Sequence, residues 1–433
     1  MSNFNQDLNK KTNSMHTFKR SVPTFSFLLK WIVIGSILGI LIGSASAGFL
    51  ASLEWATQFR EDNLWIISLL PIGGLFIGLL YHYYGKEVEA GNNLIIDSIH
   101  EPKGIISLKM APFVYVCTIL THLLGGSAGR EGTALQISAS ISDQFYEWFK
   151  LNQSERKILL IAAVAGGFGS VFGTPIAGAI FALEFYLIGK VNYKALFPAV
   201  YTAIFADLVT RLYQIPHTHY SIGNIPDLNF IYVLYVIGAG ICFGICAASF
   251  SRLMKLLGSF FKSKISYPPF RPLIGGILIA SIILALGTTK YIGLGIPTIV
   301  EAFNHQLPSY DFAIKLFLTA LTLSAGFKGG EVTPLFFIGA TLGNALGIFI
   351  PLPIGLLAGM GFVAVFAGAT NTPIACIIMA GELFGIEGIA YVAIACVVSY
   401  LVAGHTSIYS AQKIGSSKND ELLNEEEKRI NEL

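Results

Sequence analysis

The chain has 433 residues, of which 54% are hydrophobic and 12% charged, and its mean hydropathy is +0.65. Such a composition belongs to a chain dissolved in lipid and excludes a soluble globular fold. The formal net charge of +2 is too small to imply a nucleic-acid partner.

Taken in chain order, the segment 1–24 carries Lys10, Lys11, Lys19 and Arg20 ahead of the first apolar tract. By the positive-inside rule this places the N-terminus in the cytoplasm. The tract from Phe25 to Leu53 runs on too far for a signal peptide and reads as a retained helix. Gly35, Gly39, Gly43 and Ala47 recur every fourth residue along it, a spacing that lets two membrane helices approach closely. Further apolar tracts run over Trp65 to Tyr81, Ala111 to Leu124, Ile158 to Ile188, Leu196 to Leu212, Ile231 to Phe261, Leu273 to Leu286, Phe312 to Leu323, Pro334 to Phe384 and Ile389 to Val402. At about 20 residues per crossing they allow ten or more helices. Several are too short to cross, and others are cut by Gly and Pro, as at Ala165-Gly166-Gly167 and Thr372-Pro373. That is the pattern of broken and re-entrant helices packed inside protein. Cys117, Cys242, Cys246, Cys376 and Cys396 all sit in apolar tracts and read as core packing, with no metal-ligand spacing. The tail 412–433 is short and charged, with Glu425, Glu426, Glu427, Lys428 and Arg429, and reads as a solvated cytoplasmic helix or disordered end.

The chain also resembles itself. Thr174-Pro175-Ile176-Ala177 with Glu184 recurs as Thr372-Pro373-Ile374-Ala375 with Glu382, an offset of 198 (Thr372 against Thr174). An offset of 200 superposes Gly129, Glu131, Thr133 and Leu135 on Gly329, Glu331, Thr333 and Leu335, and one of 202 brings Gly91 onto Gly293. Three matches in one order imply two related halves, 25–215 and 230–411, joined by a polar connection over 216–229. In membrane transporters such halves commonly place the substrate site at their interface. The glycine-rich turns Gly91-Asn92-Asn93, Gly129-Arg130-Glu131-Gly132 and Gly329-Gly330-Glu331-Val332-Thr333-Pro334 each enter a presumed helix. Their free N–H groups and positive dipole ends would together collect an anion. An ionisable group among membrane helices costs several kcal/mol unless it lines a pathway, which marks Glu131 as functional.

These motifs, Gly129 to Thr133, Gly329 to Pro334 and the terminal Gly404-His405-Thr406-Ser407-Ile408-Tyr409-Ser410, resemble those of the CLC family of anion channels and proton-coupled antiporters along nearly the whole chain. The resemblance implies an all-α polytopic membrane protein. Its architecture would be an inverted repeat of tilted, broken and re-entrant helices, assembled as a homodimer with one pathway per subunit and no cofactor or metal. It makes Glu131 the gating and proton-carrying glutamate and Tyr409 the tyrosine near the inner mouth. Where chloride-transporting members have a serine in the first loop, this chain has Asn92, and the loop before the second anion helix carries Glu331 and Thr333. Phe185 stands where chloride/proton exchangers have an internal glutamate. These departures resemble the fluoride branch, which implies a fluoride/proton antiporter exporting fluoride across a bacterial inner membrane with both termini cytoplasmic.

The chemistry agrees, because fluoride is strongly hydrated and must receive strong donors in exchange for water. The anion-binding set comprises Asn92, Asn93, Gly132, Thr133, Val332, Thr333 and Tyr409. The Asn92 amide, the Thr333 and Tyr409 hydroxyls and backbone N–H groups near Gly132 are the expected donors. Glu331 joins Glu131 as a second acid shaping the site or the proton route, the alternative being a structural acid at helix N-termini. Arg130 is expected to bond backbone carbonyls, Glu184 and Glu382 to cap or pair within the bundle, Asp97 to bind local N–H groups, and His122 and His405 to be packed and neutral. A chloride channel or chloride/proton antiporter is the alternative within the family, and a passive fluoride channel is another. An intramembrane hydrolase built on Ser127, in Gly125-Gly126-Ser127-Ala128-Gly129, is the alternative from outside transport, although no strand precedes that serine.

Overall fold

The computed structural model describes residues 2–101, 104–218 and 220–433, with side chains from Phe25 onward. The cationic side chains of the segment 1–24 therefore lie outside the described residues, as does position 219 in the connection 216–229. The first half contains α1 Ser2–Asp62, α2 Leu70–Tyr84, α3 Asn92–His100, α4 Met110–Leu123, α5 Glu131–Asp143, α6 Phe145–Trp148, α7 Gln153–Phe172, α8 Pro175–Glu184 and α9 Leu196–Leu212. The second contains α10 Phe230–Lys264, α11 Phe270–Leu286, α12 Ile296–Asn304, α13 Asp311–Ser324, α14 Val332–Leu346, α15 Ile354–Thr370, α16 Pro373–Phe384 and α17 Ile389–Val402.

Packing repeats between the halves. α1 and α7 pack on α9, and α5 packs on α7; in the second half α10 and α15 pack on α17, and α14 packs on α15. Repeat mates also meet each other, α2 with α11, α5 with α14 and α8 with α16. Four stretches are long and apolar enough to cross a membrane, Phe25–Asp62, Leu64–Tyr84, Tyr193–Leu212 and Phe230–Lys264. Seven other apolar helices have only 10–17 residues. These fall short of the roughly 20 residues needed to span, in keeping with the glycine and proline breaks. The glycine stripe of α1 lies on α9: a Cβ at Gly43 would stand 2.5 Å from the Ala206 carbonyl oxygen.

The same local chemistry ends α7 and α15. Gly173 (φ +76°) and Asn371 (φ +61°) are left-handed terminal residues, followed by Thr-Pro with proline as the first residue of α8 and α16. Each half then caps the other. The Glu382 carboxylate accepts from Ile176 N at 3.0 Å and Ala177 N at 2.8 Å. The Glu184 carboxylate accepts from Ile374 N at 3.3 Å and Ala375 N at 2.8 Å. The two acids thus satisfy free N–H groups at a helix start in the opposite half, where their charge also meets the positive dipole end.

The tail corrects the expectation of a solvated helix or disordered end. It folds back against the bundle. Strand β1 (Leu187–Ile188), just beyond α8, pairs in parallel with β2 (Lys413–Ile414), and Ile188, Ile414 and Ile430 form a small apolar cluster. Arg429 reaches Asp97 on α3 at 2.7 Å and Glu101, just past its end, at 3.1 Å. Asp97 therefore holds the tail rather than local N–H groups. His405 likewise differs from the expected lone packed histidine, since its Nδ1 lies 2.5 Å from Glu425 Oε2. The charge pattern pointed to water because it could not reveal that Arg429 and Glu425 have partners elsewhere in the fold.

Candidate anion pathway

Two repeat-mate loops meet at the centre of the molecule. Gly129 N donates to Gly330 O at 2.6 Å and Gly330 N to Gly129 O at 2.7 Å, an isolated bridge between the starts of α5 and α14. Only glycine permits this approach: a Cβ at Gly330 would stand 2.7 Å from Gly132 N. Two helix N-termini are thereby focused on one small volume.

Glu131 is fully buried in that volume. Its carboxylate accepts from Thr333 N at 3.1 Å and from Thr333 Oγ1 at 2.6 and 2.7 Å. The acid of the first half thus sits on the N-terminus of α14, in the place where an anion would be collected. Arg130 contributes its backbone N and its Nε, each 3.3 Å from a Glu131 carboxylate oxygen. This corrects the expectation that Arg130 bonds backbone carbonyls.

Asn92, at the start of α3, and Glu331 converge on Gly132. A methyl added there would lie 2.8 Å from Asn92 Nδ2 and 3.4 Å from Glu331 Oε2. Asn92 Oδ1, Glu331 Oε2 and Tyr409 Oη are all buried, yet none has a hydrogen-bond partner among the described residues. An unsatisfied buried polar atom costs about 1–3 kcal/mol. Three of them lining one cavity mark a place that receives a polar species from outside the fold. Tyr409 meets Phe185 edge-on, with ring centroids 6.0 Å apart.

Val332 opens α14 and is buried. Asn93 lines the cavity, but its Oδ1 accepts from Ala411 N at 2.9 Å. The Thr133 hydroxyl pairs with Thr118 Oγ1 at 2.8 Å. His122 is fully buried with Nε2 3.3 Å from Gly129 O. Ser127 Oγ pairs with Thr319 Oγ1 at 2.9 Å, and the stretch that carries it lies between α4 and α5, where a nucleophile elbow would need a preceding strand.

On the tail side a cavity of about 1220 Å³ reaches Asn92, Asn93, Glu331 and Tyr409. Lys86, Arg252, Lys255, Lys262, Arg271 and Lys328 line it, and among the described residues none of the six forms an ion pair with a carboxylate. Such a cleft raises the local concentration of anions. A second, small cavity of about 10 Å³ adjoins Thr333, bounded by Arg130, Phe172, Tyr220 and Phe336. The aromatic lining of this small cavity was not foreseen. Tyr220 falls in the polar connection between the halves, and no spacing signal distinguishes Phe172 or Phe336 from core.

A family model described as voltage gated chloride channel matches residues 73–404. The chain is 50% identical over 420 residues to a chloride/fluoride channel protein of Pseudomonas syringae pv. tomato, covering 95% of this chain and 93% of that one. Its structure superposes on the crystal structure of a CLC-type fluoride/proton antiporter with a TM-score of 0.87 and 36% identity, covering 89% of this chain and 98% of the other. The structure of a slow cyanobacterial Cl-/H+ antiporter shares the fold at a TM-score of 0.75 and 20% identity, covering 86% and 94%.

Proposed function

The chain belongs to the voltage-gated chloride channel (CLC) family of integral membrane proteins, and from that membership we propose that it is a fluoride/proton antiporter. In this reading it exports fluoride across a bacterial inner membrane as a homodimer, with the tail and the basic cavity on the cytoplasmic side. The observation that carries the reading is Glu131 seated on the α14 N-terminus by Thr333, beside the unsatisfied Asn92, Glu331 and Tyr409. Similarity to a fluoride/proton antiporter and to a chloride/fluoride channel protein supports the choice of anion.

The charged Glu131 and a bound anion compete for one helix end. At ~4 Å and an effective dielectric of about 20, two like charges repel by about 4 kcal/mol. Protonation removes that repulsion and frees the carboxyl to leave Thr333, whose N–H and hydroxyl then serve the fluoride. Glu331 meets the same constraint. As a carboxylate it repels the ion, and as a carboxylic acid it donates a hydrogen bond to it. Return of Glu131 to Thr333 as a carboxylate releases the proton and expels the anion, which couples the two movements.

The six cations of the wide cavity favour capture of anions from the side they face, as an exporter requires. The relatives are channels and antiporters rather than enzymes, and the pairing of Ser127 with Thr319 leaves the hydrolase alternative without support. The test is anion efflux from liposomes containing the purified protein. Fluoride is expected to leave faster than chloride under equal gradients, and equal or faster chloride efflux would reject the substrate.

A further inference from the structure

Gln412, in the tail, is fully buried and lies at the centre of a polar knot. Its Nε2 donates to Phe185 O, at the end of α8, and to Thr370 O, the last residue of α15, both at 2.9 Å. Its Oε1 accepts from Asn371 Nδ2 at 3.0 Å. Carbonyls at helix C-termini lack intrahelical partners, and these two belong to opposite halves of the molecule. One side chain therefore fastens the tail to both repeats. Asn371 extends the knot, with Nδ2 donating to Thr406 O at 3.0 Å and Oδ1 accepting from Lys418 Nζ at 2.6 Å. Its mate in the first half is Gly173, which shares the left-handed backbone but has no side chain with which to build such a network.

Tyr409 lies inside this knot. Ile408 N donates to Ala369 O at 3.0 Å, Ala411 N donates to Asn93 Oδ1 at 2.9 Å, and the Tyr409 ring rests against Phe185, whose carbonyl Gln412 holds. The Tyr409 hydroxyl has no partner of its own among the described residues, so its position is set by the anchoring of the segment that carries it. An apolar side chain of similar size would fill the space but leave the Phe185 and Thr370 carbonyls and the Asn371 amide each one bond short.

We propose that Gln412 is a positioning residue of the anion pathway, tying the segment that carries Tyr409 to the ends of α8 and α15 so that the tyrosine hydroxyl is presented to the bound anion. This rests on the antiporter reading only for the identity of the ion that is moved. The experiment is a double-mutant cycle on the full chain in proteoliposomes, comparing wild type, Gln412→Leu, Tyr409→Phe and the double variant. The half-saturating fluoride concentration and the maximal rate are read for each.

Gln412→Leu is expected to raise the half-saturating concentration about tenfold, the scale of one hydrogen bond to a charged group, with the maximal rate within about twofold. On the Tyr409→Phe background it is expected to add nothing, because the hydroxyl it positions is already gone. A shift of the same size on both backgrounds, or none in Gln412→Leu alone, overturns the proposal. If Gln412→Leu fails to fold, Gln412→Met enters the same cycle with the same two criteria. Should the wild type carry chloride and not fluoride, the substrate reading fails, while the cycle run with chloride still decides the role of Gln412.

Discussion

Proton movement through Glu131→Gln is expected to fall to the level of protein-free vesicles. The amide oxygen of glutamine can still accept from Thr333 N–H and Oγ1–H, which now hold the carboxylate at 3.1, 2.6 and 2.7 Å, so the local packing survives. What is lost is the group that exchanges a proton at the α14 N-terminus. The variant also loses the negative charge whose repulsion of a neighbouring anion amounts to about 4 kcal/mol, or roughly a thousandfold in occupancy. The substitution thus removes coupling without emptying the site of structure. Fluoride-driven proton uptake that persists in Glu131→Gln, measured with an external pH electrode, would take the proton-carrying role away from this residue.

The second large effect is expected at Asn92. Its amide converges with Glu331 on Gly132, and its Oδ1 is one of three buried oxygens lining the cavity without a protein partner. Fluoride gives up more hydration than chloride and must be repaid with stronger hydrogen bonds. A bond to a charged partner contributes about 1.5–3 kcal/mol, so Asn92→Ser, which withdraws the amide and leaves a shorter hydroxyl, is expected to lower the fluoride-over-chloride flux ratio at least tenfold. The measurement is efflux of each anion from matched proteoliposomes. An unchanged ratio would move selectivity to Thr333 and Glu331.

How much of this was legible follows from what each feature depends on. The meeting of the two glycine-rich turns was readable because its parts are local. Glycines around Glu131 and Glu331 announce turns into helices, and the repeat offset brings the two turns into register. The crossed caps were half legible, since the Thr-Pro starts and their glutamates repeat at one interval, but only the fold shows that each acid serves the other half's helix. The tail was misread because charges at Arg429 and Glu425 look alike whether they face water or, as here, Asp97, Glu101 and His405. The pairing of the Thr133 side chain was not legible. Its position matches Thr333, which holds Glu131, and no local pattern reports that the Thr133 hydroxyl pairs with Thr118. Gln412 carried no signal, because its role depends on two carbonyls more than 40 and 220 residues away in sequence.

The measurement that bears most directly on the central claim is proton movement driven by fluoride alone. Liposomes containing the purified wild-type protein are loaded with fluoride, held without a pH gradient, and diluted into fluoride-free medium while external pH is recorded. Alkalinisation of the medium, as protons enter uphill against the outward flow of fluoride, and its absence with an equal chloride load, is the predicted result. Fluoride efflux with no accompanying proton entry would contradict the account, leaving Glu131 on α14 as a gate for the anion without exchange.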